Sequence, residues 1–173
     1  VNAYELKLDR DCENIFALFN PVAVDLRFVL AVLKINSNLE RTGDIVEGIA
    51  RFVLNVDSTF DKKLLELTRV VEMYTAANSM MESVLEAFEK EDTALARKIF
   101  KEDELLDDIN IKANAIVAQY VQNQPQNVVE AALYLLSIIR KLERVGDQAK
   151  NMAEEIIFYI EAKVLKHRSK VEK

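Results

Sequence analysis

One six-residue stretch occurs twice in this chain. Leu39-Glu40-Arg41-Thr42-Gly43-Asp44 returns as Leu142-Glu143-Arg144-Val145-Gly146-Asp147, identical at five of six positions and 103 residues apart. Each copy follows a proline: Pro21 lies 19 residues before Glu40, and Pro125 lies 18 before Glu143. Four of the five glycines and prolines therefore obey the repeat. A single Leu-Glu-Arg with an Asp nearby is ordinary helix-surface text, but two copies with matching upstream prolines point to an internal duplication. Three Gly and two Pro in 173 residues are too few to turn a many-stranded β protein, so the repeated unit is helical.

Apolar spacing divides the chain accordingly. A short helix is expected over about 1 to 19. After Asn20-Pro21, residues Leu26, Phe28, Val29, Val32, Ile35, Leu39, Val46, Ile49 and Val53 mark one long helix over about 22 to 54. Asp57-Ser58-Thr59 breaks it, and Leu64, Leu67, Val71, Tyr74, Met81, Leu85 and Phe88 predict a single helix over about 61 to 90. Asp92-Thr93 reads as an N-cap for a helix reaching Val121, and the Gln122-Asn123-Gln124-Pro125 turn leads into a last helix over about 127 to 165. Three helices thus surround the second motif copy and two the first. The expected fold class is all-α: two tandem, pseudo-symmetric three-helix bundles, residues 1–58 and 59–173, the first lacking its N-terminal helix. Val1 opens inside a helix and without a Met, so the chain is expected to be a fragment short of about 40 to 55 residues by the repeat length. An open apolar face on the first bundle would favour marginal stability or self-association.

Composition removes several functions. No run of 18 apolar residues exists to span a bilayer. A single cysteine, Cys12, cannot form an internal disulfide; it reads as a small core residue, and with no signal peptide in view the expected location is the cytoplasm. A net charge of -6 argues against a protein built to grip nucleic acid.

The repeated motif carries the chemistry. Glu40 and Asp44, and Glu143 and Asp147, are spaced by four and share a helix face, where like charges repel by a few tenths of a kcal/mol. A helical Gly43 or Gly146 adds roughly 1 kcal/mol relative to Ala. A bound cation would turn the repulsion into ligation, and the glycine would admit a neighbouring helix or a ligand. In an antiparallel hairpin pivoting near Pro125, Asp107 and Glu143 both lie about 27 Å from the turn, and Asp103 and Asp147 form the next layer. Four carboxylates are then expected to converge. The same count in the first half pairs Glu40 with Asn2 and sets Asp44 opposite a position before the chain begins, so that site is expected to be depleted. Carboxylate-only ligands favour Mg, Mn, Ca or Fe over Zn. The alternative, that these are solvated pairs neutralised by Arg41 and Arg144, stands beside the metal reading. The only histidine, His167, belongs to the basic tail.

The two Glu-Arg-x-Gly-Asp copies, the stretch Asn20-Pro21-Val22-Ala23-Val24-Asp25-Leu26-Arg27, and Lys101-Glu102-Asp103-Glu104-Leu105-Leu106-Asp107 resemble the PhoU family of phosphate-uptake regulators over nearly the whole chain. The resemblance implies two similar three-helix bundles in tandem, and a Glu or Asp followed four residues later by Asp that carries multinuclear metal clusters in some members. Those positions are Glu40 and Asp44, Asp103 and Asp107, and Glu143 and Asp147, for Fe, Mn, Mg or Zn. It further implies a non-catalytic cytoplasmic homodimer. Such a protein associates with the ATPase subunit of the phosphate ABC transporter and the phosphate-sensing histidine kinase, and represses the phosphate-starvation response. Gly48 stands where the second copy has Asn151, so the faces beyond the motif differ.

Rival readings are weaker. A ferritin-like di-iron enzyme needs a Glu-x-x-His from each of two helices, and the single His167 is preceded at that spacing by Val164. No Gly-rich phosphate loop and no nucleophile beside a histidine is present. A metal-binding helical-bundle adaptor, or a soluble domain of a membrane phosphate carrier, remains as the alternative.

Overall fold

The expected helices form, with one interruption that no glycine or proline announces. The computed structural model describes residues 2–56, 59–122 and 124–165. It contains α1 (Asn2–Phe19), α2 (Ala23–Leu54), α3 (Lys62–Thr68), α4 (Val70–Glu89), α5 (Thr93–Val121) and α6 (Gln126–Glu161). Among the described residues there is no strand. Asp57 and Ser58 of the expected break, Asn123 of the turn, His167 and the side chain of Asn2 lie outside the description.

The single helix expected over 61 to 90 is instead two, because Arg69 takes a left-handed φ of 54°. Local bonds hold it there. The Thr68 hydroxyl donates to the carbonyls of Leu64 at 2.8 Å and Leu65 at 3.3 Å, and the Arg69 guanidinium forks onto Glu72 with both bonds at 2.7 Å. The bend lets α3 lie along α5 with Leu64 fully buried. Asp92 caps α5 as its sequence suggests, accepting from the backbone N–H of Ala94 at 2.8 Å and Leu95 at 2.9 Å. Helix α6 ends earlier than expected, at Glu161, where Ala162 turns left-handed and donates its N–H to the Phe158 carbonyl at 2.9 Å.

Helices α4, α5 and α6 close a three-helix bundle around Met73, Met80, Val84, Ile99, Leu106, Ile139, Met152 and Ile156. The first half contributes α1 and α2. Helix α2 lies antiparallel on α6 in the largest interface of the molecule. Arg27 Nε donates to the Tyr159 carbonyl at 3.0 Å, Lys34 pairs with Glu155 at 2.9 Å, and the Phe52 and Tyr134 rings stand 5.8 Å apart. Phe28, Phe88 and Tyr159 meet as one aromatic cluster that ties α2 to α4 and α6. Helix α1 packs chiefly on α2. Cys12 is buried, as expected of a small core residue, whereas Tyr4, Leu18 and Phe19 are more than two-thirds exposed. No helix among the described residues is long and apolar enough to cross a membrane.

Candidate functional site

Antiparallel packing of α2 on α6 sets the two motif copies side by side at mid-length. Thr42 and Val145, equivalent in the repeat, line one groove with Val46, Ile49 and Leu142 and with Tyr74 and Met81 of α4. The apolar positions of each motif therefore serve the interface, and the acidic positions flank it.

Around the second copy, α5 and α6 run antiparallel from the Pro125 turn, drifting by about one to two helical turns from an equal count at the far end. Arg140 of α6 donates to Asn114 of α5 at 3.0 Å nearer the turn, and Arg97 pairs with Glu161 at 2.8 Å at the far end. Between them Asp103, Asp107, Glu143 and Asp147 share one electrostatic neighbourhood. Burial pushes the Glu143 carboxyl up, and the charges of Asp147, Asp107 and Asp103 push it further, against a weaker pull from Lys150. Asp103 is the buried member at 4% exposure; burial raises it too, against its hydrogen bond from Lys150.

Gly146 explains how an Asp reaches this depth. A Cβ there would stand 2.5 Å from Leu106 Cδ2 and 3.1 Å from Asp103 Oδ1, so the missing methyl lets α5 come against α6. The close approach of a neighbouring helix, one of the uses the sequence suggests for this glycine, is realised here. Asp103 Oδ1 occupies that space without a hydrogen-bond partner.

Sequence reasoning overlooked Lys150. Its ammonium donates to Asp103 Oδ2 and lies 3.0 Å from Asp147 Oδ1, bridging α5 to α6. Burial alone would lower its pKa; the hydrogen bonds it donates to Asp103 and Asp147, with their negative charges, outweigh burial and hold it well above the ordinary lysine value. A signal existed in the repeat: the first copy has Glu47 at the corresponding position, three residues beyond Asp44. Glu47 turns away to accept from Arg51.

The first copy is built differently. Glu40 and Asp44 lie within hydrogen-bonding reach of each other, and desolvation, the Asp44 charge and the Glu5 charge all push Glu40 up, while Arg41 pulls it down. Asn36 Nδ2 fixes α1 against α2 by donating to the Glu5 carbonyl at 3.0 Å and to Asp9 Oδ1 at 2.9 Å. The acidic neighbour supplied by α1 is thus Glu5, where the count from Pro21 pointed to Asn2. The Arg41 charge pulls its Glu down, but both Arg41 and Arg144 are exposed and, among the described residues, neither makes a salt bridge with the Glu beside it.

These arrangements bear unequally on a metal. Among the described residues no three His, Cys, Asp or Glu side chains are set as a ready ligand group. Glu40 and Asp44, two neighbouring carboxylates whose charges raise Glu40, fit a cation, which would supply the charge that lets both stay ionised. Asp103 and Asp147 do not fit in the same way, because the ammonium of Lys150 already spans them.

The sequence matches the profile described as the PhoU domain over residues 1–53 and 70–156, which takes in both motif copies. The phosphate-specific transport system accessory protein PhoU of Edwardsiella tarda is 32% identical over 169 residues, covering 96% of this chain and 68% of that protein. A PhoU homolog 1 of Thermotoga maritima is 32% identical over 164 residues, covering 92% and 70%. The crystal structure of PhoU from Pseudomonas aeruginosa superposes with a TM-score of 0.86 at 27% identity, over 94% of this chain and 77% of that one. With α2 and α6 carrying the duplicated motif in this shared fold, the chain belongs to the PhoU family.

Proposed function

We propose that this chain is a non-catalytic accessory regulator of phosphate uptake in the cytoplasm. It acts as a homodimer that docks on the ATPase subunit of a phosphate ABC transporter and on a phosphate-sensing histidine kinase, and holds the starvation response off when phosphate is plentiful. The observation that carries this reading is a family profile running through both motif copies, in relatives named as accessory proteins of phosphate-specific transport. The geometry agrees with a docking role: two long helices are locked antiparallel by aromatic and ionic contacts, which gives partners a fixed surface. Residues 1–58 and 59–173 are proposed as the two repeat units. A metal ion belongs to this reading at Glu40 and Asp44, with the harder of Fe, Mn, Mg and Zn favoured by carboxylate oxygen.

The test is affinity purification from phosphate-replete cells, cytoplasm and membranes together, with copurifying proteins identified by mass spectrometry. Recovery of the transporter ATPase or the sensor kinase is the expected result. A folded bait that recovers neither overturns the docking reading and returns the chain to a metal-binding adaptor or a domain of a membrane phosphate carrier.

A further inference from the structure

The two acidic motifs are equal in sequence and unequal in what neutralises them. In the second, Lys150 reaches from α6 to the buried Asp103 of α5 and to Asp147 on its own helix. In the first, Glu47 stands at the corresponding position and is drawn off to Arg51, and among the described residues no lysine forms a salt bridge with Glu40 or Asp44. A cation that bridges carboxylates on adjacent helices pins the helices together, whether it is a bound metal or a tethered ammonium. The tethered one has two advantages at this spot: it cannot dissociate, and its charge repels a divalent ion that would share the same oxygens.

We infer that Lys150 is the resident counter-ion of the second acidic cluster, closing Asp103 and Asp147 to divalent metals, so that this half of the molecule is pinned without a metal. Several features follow from it. The Lys150 nitrogen contacts an oxygen of Asp103 on α5 and one of Asp147 on α6, so it already occupies acceptors that a cation shared between the two helices would need. The other oxygen of Asp103 is buried without a hydrogen-bond partner and lies beside Gly146, in the same close-packed recess as Leu106 and Met80. Asp107, exposed, and Glu143, half-buried, do not combine with the others into a group of three ready ligands among the described residues. The inference stands apart from the docking reading, since neither partner takes part in it.

Mn2+ titration by calorimetry on the EDTA-treated chain tests it, in a Glu40→Gln/Asp44→Asn background that silences the first copy. With Lys150 present, no Mn2+ is expected to bind. Lys150→Met should gain about one Mn2+ per chain, the capacity of one carboxylate site, and lose it again when Asp103→Asn is added. Lys150→Arg, which keeps the charge, should still exclude the ion. The metal-free Lys150→Met chain should also melt lower, and Mn2+ should restore its Tm. Mn2+ binding in the Lys150-containing background that disappears with Asp103→Asn overturns the inference, and this arm needs no lysine variant to fold. Failure of a folded Lys150→Met chain to gain Mn2+ overturns it equally.

Discussion

Gly146→Ala asks whether the motif glycine is present to let α5 approach α6. In a helix interior Ala is favoured over Gly by about 1 kcal/mol. Against that gain, the new Cβ would lie 2.5 Å from Leu106 Cδ2, 3.1 Å from Asp103 Oδ1 and 3.5 Å from Met80 Cε. Leu106 and Met80 are fully buried and Asp103 nearly so; none can swing into solvent. Relief requires strained rotamers or a shift of α6 away from α5, and overpacking of this kind costs about 1–3 kcal/mol. The balance is a net loss of about 1 kcal/mol, or about 2–4 °C in Tm for a chain of this size. Gly48→Ala provides the contrast within the same molecule. There the Cβ would meet Lys141 Nζ at 2.5 Å and Cε at 3.0 Å, the tip of a long side chain that can move aside. It gives up its place 5.5 Å over the Phe52 ring, a contact worth about 0.5–1 kcal/mol at an exposed site, so Gly48→Ala should be neutral or mildly stabilising. Urea unfolding of both variants beside the wild type, followed by circular dichroism, reads the two signs. A Gly146→Ala chain as stable as wild type, or equal gains in both variants, would refute the close-approach argument and leave helix propensity as the controlling effect.

Two further outcomes follow from the same structure. Asp92→Ala removes the acceptor for the Ala94 and Leu95 N–H groups at the start of α5 and should lower stability by about 1 kcal/mol in the same urea assay; an unchanged midpoint would mean that water replaces the cap without loss. Glu143 has its folded pKa raised by burial and by Asp147, Asp107 and Asp103, so the folded chain holds its proton more tightly than the unfolded chain. Its contribution must therefore weaken the fold as pH rises from about 4.3 through the raised folded value, and Glu143→Gln should be the more stable chain at pH 7 in EDTA with the difference fading in acid. A Gln variant less stable than wild type at pH 7 would show that the Glu143 charge is satisfied by a contact the electrostatics miss.

The parts of this fold legible in the sequence are those that depend on period and position. The apolar spacing that outlines α2, the Asp92 cap and the Pro125 pivot each report a local rule, and counting from Pro125 was enough to bring Asp103 and Asp107 of α5 near Glu143. The break at Arg69 escaped because its cause is a set of side-chain bonds, from Thr68 back to Leu64 and Leu65 and from Arg69 forward to Glu72, with no glycine or proline to announce them. Glu5 escaped because the α1–α2 register follows Asn36, which grips Glu5 and Asp9, rather than an equal count from Pro21. Lys150 escaped for a more instructive reason. A repeat invites the reader to look for what its copies share, and both copies share the carboxylates. Charge balance in a half-buried cluster is settled by whichever cation can reach it, and one lysine three residues beyond the motif reaches two of the four carboxylates from the next turn of the same helix. The difference between Lys150 and Glu47 therefore decides what each copy can bind, although it falls outside the sequence that defines the repeat.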